Sequence, residues 1–377
     1  MKRKLGFVAD ILAEIKKENL YRKMRYGRVN GPYITIGRKR LVNFCSNDYL
    51  GLSVSESLPR QFQSSSRLVS GNDVSFMKVE RILASHKSQE SSLIFPTGYM
   101  ANLGAIPALV TKESLIFSDE LNHASIIEAC RLCKSKTVVY KHNDVDDLAE
   151  KIRTDKKARK FIVTEGIFSM DGDLADLKRI SELAEKNDAI LILDDAHGDF
   201  TIGKNGRGSA NYFGVEKNID VYTSSLSKGL GSFGGYVAAS REVIDLCVNR
   251  AKSFIYTSAL PSFLVDLTFE RLKQNKEIQR KKLEQNVKLL YTQLRKLGYD
   301  IQSQTHIIPL IIGDEKRTIE FGSYLYKNGI FAQPIRYPTV PKNSARIRIS
   351  VTAWLSKTHI EDAIDVFEKA GKKFEIL

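Results

Sequence analysis

The chain has 377 residues, of which 42% are hydrophobic, an ordinary composition for a globular protein that buries a core without disulfide staples. It carries 58 lysine and arginine residues against 44 aspartate and glutamate residues, a formal net charge of +14. The basic residues are dispersed and no nucleic-acid motif accompanies them, which argues against a nucleic-acid-binding module. We interpret the charge mainly as solvated helix surface, with the steering of an anionic substrate or an acidic carrier protein as the alternative.

The cysteines and the start of the chain also narrow the class of protein. Cys130 and Cys133 form a Cys-x-x-Cys pair without a second pair or histidines at ligand spacing, so we expect structural thiols and no metal site. The basic start runs into an amphipathic pattern rather than the apolar core of a signal peptide, and no apolar run approaches a membrane span. The sequence therefore predicts a cytoplasmic protein.

The first predicted elements are a helix and a small hairpin. Residues 1 to about 30 are predicted to form a helix and a basic linker, which ends in a turn at residues 30–32. The segments 33–36 and 40–44 follow as the two strands of a hairpin. We take residues 1–45 as an N-terminal segment.

From about residue 75 to residue 240, short apolar strands alternate with helices. The strands show little polar alternation, which is typical of strands buried on both faces of a mostly parallel sheet. The pattern predicts an α/β domain over residues 46–260, with a helix at residues 177–186. Its candidate strands are residues 92–95, 114–117, 137–140, 160–164, 189–193, 220–223 and 235–239.

Beyond residue 260 the pattern changes again. Residues 261 to about 297 are predicted to form one long basic helix. Strands at 307–312 and 345–350 and helices at 317–328 and 359–374 follow. These elements predict a smaller α+β domain, which together with the linker helix covers residues 261–377.

Polar side chains follow three of the predicted strands, at the carboxyl ends where ligands gather in such sheets. Glu165 follows one strand, Asp194, Asp195 and His197 follow the next, and the loop 224–228 follows another. A lysine in a small polar loop, such as Lys228, can form a Schiff base with a carbonyl cofactor. An aspartate opposite a pyridine nitrogen keeps it protonated, so that the ring acts as an electron sink. Together they indicate pyridoxal phosphate (PLP), although the two aspartates alone would more often cap the turn.

Three further features fit a flat, anionic ligand. His123 precedes an amphipathic helix and could stack on a ring or belong to the helix N-cap region, and the sequence favours neither. Residues 97–102 follow an apolar strand and open a helix whose free amides favour a phosphate group, with Ser225 as a second donor. Arg336 and Arg348 could grip a carboxylate in a fork, where a surface position is the usual alternative.

The set of motifs resembles the α-oxoamine synthases, which are PLP enzymes of fold type I, the aspartate aminotransferase-like fold. That fold has a large, mostly parallel sheet domain and a smaller C-terminal α+β domain. Each motif is weak alone, but all of them in the same order along nearly the whole chain form a specific pattern. They are residues 43–52, 67–71, 98–102, 122–125, 164–173, 194–198, 227–229 and 338–341.

The resemblance implies a cofactor site and assigns its residues. Lys228 would bind PLP as a Schiff base, Asp194 would pair with the pyridine nitrogen, and His197 would hydrogen-bond the ring 3-hydroxyl. His123 would stack on the ring, and these four residues are the catalytic candidates. The other cofactor contacts would come from Gly98, Tyr99, Ser169 and Ser225, and from Thr257 and Ser258, which would reach the phosphate in the other subunit of a homodimer.

The resemblance also implies a reaction. Residues 335–348 are most similar to the members that join L-alanine to a pimeloyl thioester, on coenzyme A or an acyl carrier protein, in biotin biosynthesis. Carbon dioxide and free thiol would be released and an aminoketone formed, with the Lys228 amine as general base at the substrate Cα. Arg348 would hold the amino-acid carboxylate. The other substrate-binding candidates are Arg22, Arg336 and Thr339 on the acyl side, and His123.

Three alternatives remain open at this point. The nearest is another α-oxoamine synthase, such as glycine C-acetyltransferase or an enzyme like serine palmitoyltransferase. The second is a PLP aminotransferase or lyase of the same fold. The third is a non-enzymatic basic module that binds nucleic acid or an acidic carrier protein, which the dispersed charge disfavours.

Overall fold

The structure is a computed structural model, and it describes residues 6–17, 26–30, 33–42, 64–154, 158–303, 305–330, 332–337 and 339–377. The chain divides into two compact units. The large unit comprises Met1–Gly166 and Ala175–Gln274, and the small unit comprises Ile167–Leu174 and Asn275–Leu377. The predicted division at residues 45 and 260 stays a prediction.

The large unit begins with a helix and a three-stranded antiparallel sheet. Helix α1 covers Gly6–Lys17, and its Val8 and Leu12, four residues apart on one face, are buried in the core. The strands are β1 (Gly27–Asn30), β2 (Tyr33–Ile36) and β3 (Lys39–Val42), paired in that order. The predicted hairpin of β2 and β3 is confirmed over the described residues, while residues 43 and 44 of the predicted second strand lie outside them. Strand β1 was not predicted, because its Gly-Arg-Val-Asn sequence lacks a strand pattern.

The centre of the large unit is a seven-stranded sheet with the order β4-β10-β9-β8-β7-β5-β6. Strand β10 is antiparallel to both of its neighbours, and the other pairs are parallel, so the predicted mostly parallel sheet is confirmed. Every predicted strand of this domain is present, within two residues at each end. The strands are β4 (Ser91–Phe95), β5 (Leu115–Asp119), β6 (Lys136–Tyr140), β7 (Lys160–Glu165), β8 (Ala189–Asp194), β9 (Val221–Ser225) and β10 (Gly235–Ala239).

Helices cover this sheet and complete its core. Helix α3 (Gly98–Leu109) is apolar around most of its circumference, and it packs against α4, α8 and α9 as well as the strands. Side chains capping the helix starts include Asp73, Thr97 and Ser240. The other helices are α2 (Val74–His86), α4 (Ala124–Leu132), α5 (Val145–Lys151), α6 (Leu177–Lys186), α7 (Ser209–Phe213), α8 (Arg241–Arg250), α9 (Lys252–Ile255) and α10 (Ser262–Lys273).

The small unit packs helices on an antiparallel sheet with the order β11-β13-β12. Its core includes Leu294, Leu310, Phe321, Ile347 and Phe367. The elements are α11 (Glu277–Leu297), β11 (Ile307–Gly313), α12 (Glu315–Lys327), β12 (Gln333–Ile335), β13 (Ala345–Ser350) and α13 (Lys357–Lys373).

The predicted single helix over residues 261–297 is wrong, because residues 274–276 are not helical and separate α10 from α11. Gln274 takes an extended conformation, with φ −66° and ψ 138°. The side chain of Asn275 then accepts a hydrogen bond from the N–H of Glu277 at 2.9 Å, and this local bond starts a new helix. Among the described residues, no helix is both long enough and apolar enough to cross a membrane.

Candidate active site

The polar residues of the large unit collect where β5, β7, β8 and β9 end. These strands are parallel, so their carboxyl ends lie at the same edge of the sheet. Glu165 ends β7, Asp194 ends β8 and Ser225 ends β9. The edge therefore brings together residues that lie far apart in the sequence.

Lys228 lies in the loop that follows β9, and its side chain is exposed. Its Nζ atom lies 2.8 Å from Nε2 of His197, which belongs to the turn after β8. The carbonyl oxygen of His197 accepts a hydrogen bond from the hydroxyl of Thr201 at 2.9 Å, which steadies that turn. The amine of Lys228 and the imidazole of His197, which the sequence analysis assigned separately to the cofactor, thus lie at hydrogen-bond distance from each other.

The lysine loop packs closely on the turn that carries His197. A Cβ atom at Gly229 would lie 2.4 Å from the carbonyl oxygen of Asp199, so a side chain there would force the two segments apart. Leu226 is fully buried, and its N–H donates to the carbonyl of Gly234 at 2.9 Å, which closes the loop. These contacts therefore hold in place the loop that carries the exposed amine of Lys228.

Asp194 is buried and held by two donors. Its Oδ1 accepts from the N–H of Ala196 at 3.0 Å, and its Oδ2 accepts from Nδ2 of Asn102 at 2.6 Å. The same Nδ2 donates to Oγ of Ser125 at 2.9 Å, and Oδ1 of Asn102 accepts from Oγ1 of Thr223 at 2.6 Å. The sequence motif that contains Asn102 was recognised, but this connecting role of its side chain was not.

His123 caps the start of α4, so the N-cap interpretation is confirmed, and ring stacking on a ligand stays a prediction. Its Nδ1 accepts from the N–H of Ser125 at 3.2 Å and lies 2.7 Å from the hydroxyl of the same residue. Tyr99 meets its ring edge to face, with 6.1 Å between centroids. Burial lowers the pKa of His123, and Lys228 lowers it further against the opposing Asp194 carboxylate. These effects favour the neutral imidazole.

Glu165 holds the backbone of His123 in place. Its Oε1 accepts a hydrogen bond from the N–H of His123 at 2.6 Å. Burial raises the pKa of Glu165 well above its ordinary value, and the nearby Asp194 carboxylate raises it further. The structure thus places Glu165, whose raised pKa favours the neutral form, close to Asp194, which accepts hydrogen bonds from two N–H donors.

The start of α3 forms a cradle suited to an anion. Thr97 caps the helix, and the amides of Gly98 and Tyr99 lie in its first turn, where they have no partner within the helix. A Cβ at Gly98 would lie 3.1 Å from Cβ of Ser225, and one at Gly235 would lie 2.4 Å from the nitrogen of Gly98. These glycines let the helix start approach the ends of β9 and β10.

Thr257 and Ser258 lie in the loop that follows α9. Thr257 is half-buried and Ser258 is exposed. Together with eight other residues, among them Arg67 and Phe254, they line a small, closely packed pocket. Their predicted reach to a second subunit stays a prediction.

The remaining predicted residues belong to the small unit. Arg348 is half-buried on β13; its Nε donates to the carbonyl of Ser169 at 2.5 Å and its Nη1 to the hydroxyl of Ser350 at 2.7 Å. Burial lowers the pKa of Arg348. Arg336 and Thr339 are exposed, and the N–H of Thr339 donates to the carbonyl of Arg336 at 3.0 Å in a turn after β12.

A second arginine of β13, which the sequence reasoning missed, is the more buried one. Arg346 forms an ion pair with Asp171 and also bonds the carbonyl of Ser344. Its position two residues before Arg348 places both on the same face of the strand, a signal that the alternation could have given. Arg22 lies outside the described residues.

Asp195, the neighbour of Asp194, belongs to a separate group of buried polar residues, which we call the sealed cluster. Nζ of Lys87 lies 2.8 Å from a carboxylate oxygen of Asp195 and 2.7 Å from one of Asp199, and all three side chains are at most 1% exposed. The sealed cluster consists of the buried residues Lys87, Asp195, Asp199, Ser209, Ser224 and Tyr236, with the partly buried His86 at its rim. Sequence reasoning missed it, because a lysine after a helix is ordinarily exposed.

The donors around the two carboxylates of the sealed cluster differ in number. Asp195 also accepts from the hydroxyl of Ser209 at 2.6 Å, whereas Asp199 accepts from His86, Ser224 and Tyr236 at 2.6–2.9 Å. Burial raises the pKa of both carboxyls. At Asp195 the effect of burial is the larger one, and the pKa is raised. At Asp199 the charges of Lys87 and His86 outweigh burial and hold the pKa well below its ordinary value.

The residues present at the sheet edge of the large unit fit PLP. Lys228 offers an amine for the aldehyde, Asp194 offers a carboxylate for the pyridine nitrogen, and the first turn of α3 offers amides for the phosphate. The glycines of the cradle leave room where a Cβ would collide.

Comparison with known proteins gives one family and two groups of relatives. The profile of the family described as aminotransferase class I and II matches residues 39–367. The 8-amino-7-oxononanoate synthase of Thermoanaerobacter pseudethanolicus is 41% identical over 389 residues, covering 99% of this chain and 98% of that protein. The synthase of the same name from Thermosipho melanesiensis is 39% identical, covering 98% of each.

Solved structures agree with this assignment. Serine palmitoyltransferase from S. paucimobilis, solved with a bound PLP–myriocin aldimine, aligns with a TM-score of 0.82 at 25% identity and covers 99% of both chains. The 8-amino-7-oxononanoate synthase of Francisella tularensis aligns with a TM-score of 0.71 at 27% identity, covering 81% of this chain and 89% of that one. The fold type I architecture expected from the sequence is confirmed.

Proposed function

We propose that this chain, which belongs to the class I and II aminotransferase family and within it to the α-oxoamine synthases, joins L-alanine to a pimeloyl thioester and forms 8-amino-7-oxononanoate. Carbon dioxide and free thiol are the other products. The chain is a PLP-dependent acyltransferase, so the alternative of a non-enzymatic basic module is set aside. One structural observation carries the proposal. Nζ of Lys228 lies 2.8 Å from Nε2 of His197, at the edge of the sheet where β8 ends with Asp194.

Lys228 would anchor the cofactor, and three further side chains would orient its ring. Asp194 would pair with the pyridine nitrogen, His197 would bond the 3-hydroxyl, and His123 would lie on a ring face. The amides of Gly98 and Tyr99 in α3, with Ser225, Ser169 and, from a partner subunit of a homodimer, Thr257 and Ser258, would complete the site. When bound, PLP supplies an electron sink for a carbanion at the amino-acid Cα.

Proton transfer at Cα would fall to Lys228. A lysine amine acts as a base when it is neutral, and His197 Nε2 at 2.8 Å can share its proton. The lowered pKa of His123 keeps its imidazole neutral, so that no second positive charge competes with the cofactor for Asp194. These residues would thus hold one mobile proton at Nζ of Lys228.

Arg348 would bind the carboxylate of L-alanine. Its Nε and Nη1 are held by Ser169 and Ser350, which fixes the plane of the guanidinium group. Arg22, Arg336 and Thr339 would lie at the acyl side, where the thioester arrives on coenzyme A or an acyl carrier protein. The net charge of +14 favours both of these anionic carriers.

A thiol-release assay tests the proposal. The purified protein with PLP receives L-alanine, glycine or L-serine, each with acetyl, pimeloyl or palmitoyl thioesters of coenzyme A. Pimeloyl thioester with L-alanine should give the fastest release, with the mass of 8-amino-7-oxononanoate among the products. Faster turnover of glycine with acetyl or of serine with palmitoyl thioester would replace the proposal by the corresponding synthase, and amino transfer to a keto acid would replace it by an aminotransferase.

A further inference from the structure

The side chain of Asn102 is the meeting point of the bonds that hold the two sides of the cofactor site. It is 1% exposed and lies one helical turn after Gly98, on the face of α3 that the anion cradle shares. It contacts Asp194 on β8, Thr223 on β9 and Ser125 on α4, each at 2.6–2.9 Å. One amide therefore touches three elements of the site.

The direction of these bonds follows from which groups can donate. An ionised Asp194 carboxylate accepts only, so the NH₂ group of Asn102 faces it and the carbonyl oxygen faces Thr223, whose hydroxyl must donate. The second N–H of the amide points to Oγ of Ser125, which is thereby an acceptor and turns its own hydrogen elsewhere.

That hydrogen has an acceptor in His123. The backbone N–H of Ser125 can only donate, so Nδ1 of His123 carries a lone pair and the neutral ring carries its hydrogen on Nε2. The Ser125 hydroxyl, 2.7 Å from Nδ1, then donates to the same lone pair. The bonds run from Thr223 through Asn102 to Asp194, and from Asn102 through Ser125 to His123, where the N–H and the hydroxyl of Ser125 share the lone pair of Nδ1.

We propose that Asn102 is a positioning residue that orients Asp194 directly and His123 through Ser125, and so fixes the tautomer of His123. The inference rests on the proposed function for its catalytic consequence, because it is PLP that Asp194 and His123 would face. Its structural part, the tautomer of His123, does not depend on the cofactor and can be measured in the apoprotein.

The test uses substitutions that keep the shape and remove one bond direction at a time. Asn102→Asp replaces the amide donor with an oxygen, Ser125→Ala cuts the branch to His123, and Thr223→Val removes the donor that holds the amide oxygen. Asn249→Asp is the matched control, since Asn249 is a buried asparagine of α8 whose Nδ2 donates to the carbonyl of Asp245 at 2.8 Å.

The first readout is the ¹⁵N spectrum of the histidines in each apoprotein as a function of pH. Wild type and Asn249→Asp should show His123 as the Nε2–H tautomer. In Asn102→Asp the Ser125 hydroxyl can turn to the new carboxylate, so the His123 titration should shift to higher pH and the tautomer preference should weaken. Ser125→Ala should weaken the preference too.

The second readout is steady-state kinetics of the holoenzymes. Asn102→Asp should lower kcat by about 100-fold while KM for L-alanine stays the same, since a small misplacement of aligned groups costs that much. Wild-type kcat and wild-type His123 titration in Asn102→Asp, with only a lower melting temperature, would reduce Asn102 to a structural residue. If wild type makes no 8-amino-7-oxononanoate, the proposed function fails, while the apoprotein spectra still decide the role of Asn102.

Discussion

Asp194 and Asp195 are adjacent in the sequence, yet they belong to two regions with opposite purposes. Asp194 accepts from the amide of Asn102 and the N–H of Ala196, at the edge of the sheet where Lys228 is exposed. Asp195 points to the sealed cluster, where it meets the ammonium group of Lys87. Successive residues of an extended strand point to opposite sides, so one step along the chain separates them. The partner, rather than the residue type, decides what each carboxylate does.

The two regions should therefore respond differently to the loss of one group. In the sealed cluster one cation stands between two carboxylates at most 1% exposed. Removing the lysine leaves two buried carboxylates without their cation, and removing one carboxylate leaves the lysine with a single anionic partner. At the candidate site, the donors to Asp194 are neutral, so replacing Asp194 leaves no buried charge behind. We expect stability effects on one side and activity effects on the other.

The largest contrast is expected between the two lysines. Lys228→Met should abolish turnover and the visible absorbance of the bound cofactor, while the free energy of unfolding changes by less than about 0.5 kcal/mol because the side chain is exposed. Lys87→Met should cost about 3–5 kcal/mol of stability. Thermal unfolding of both apoproteins and an absorbance scan of both holoenzymes measure this. Lys217→Met, at another exposed lysine, is the control and should change neither; a Lys228→Met protein that still turned over would contradict the assignment.

The aspartates give the next contrast. Asp194→Asn should lower kcat by about a thousandfold, since it removes a preorganised charge at the cofactor. It should cost only about 1 kcal/mol of stability, because the new NH₂ group faces one of the two N–H donors but no buried charge is left behind. Asp195→Asn should cost about 3 kcal/mol of stability, because Lys87 keeps only one carboxylate. Denaturant unfolding and thiol release measure the two effects. Equal stability losses in the two variants would remove the distinction between the regions.

Glu165→Gln should change how the stability depends on pH. Because the pKa of Glu165 is raised in the folded state, that state binds more protons than the unfolded chain above the ordinary value of 4.5, and stability falls as the pH rises from there toward the raised pKa. Glutamine still accepts the N–H of His123 but does not titrate, so the fall should be smaller in the variant. Melting temperatures between about pH 5 and 8 test this; identical slopes in both proteins would contradict the raised pKa.

The smallest effect is expected at the rim of the sealed cluster. His86 bonds Asp199 at 2.8 Å and stacks on Phe200, with 4.7 Å between ring centroids. His86→Phe keeps the stack and removes the bond, while Lys87 and Tyr236 still hold Asp199. We expect a loss of about 1.5 kcal/mol and unchanged kcat, measured by denaturant unfolding and thiol release. A fall in kcat would show that this cluster also shapes the site.

The sequence predicted the central sheet, because buried parallel strands leave apolar runs, and it placed the candidate site at the edge where these runs end in polar residues. It did not predict β12, whose Pro334 argues against a strand; the structure places β12 at the edge of the small sheet, where proline is tolerated. Nor did it predict the partners of Asn102, since Asp194 lies 92 positions away and Thr223 lies 121 positions away. Long-range pairing of this kind has no local signal.

The approach of α3 to β10 also has a consequence for sequence variation. At Gly235 a Cβ would lie within 2.6 Å of three backbone atoms of Thr97 and Gly98, which cannot rotate out of the way as a side chain can. At Gly6 a Cβ would meet nothing within 4 Å. A saturation library selected for growth without biotin should therefore return glycine at position 235 and a broad mixture of residues at position 6. Backbone contacts thus limit which substitutions this enzyme tolerates as much as its reactive groups do.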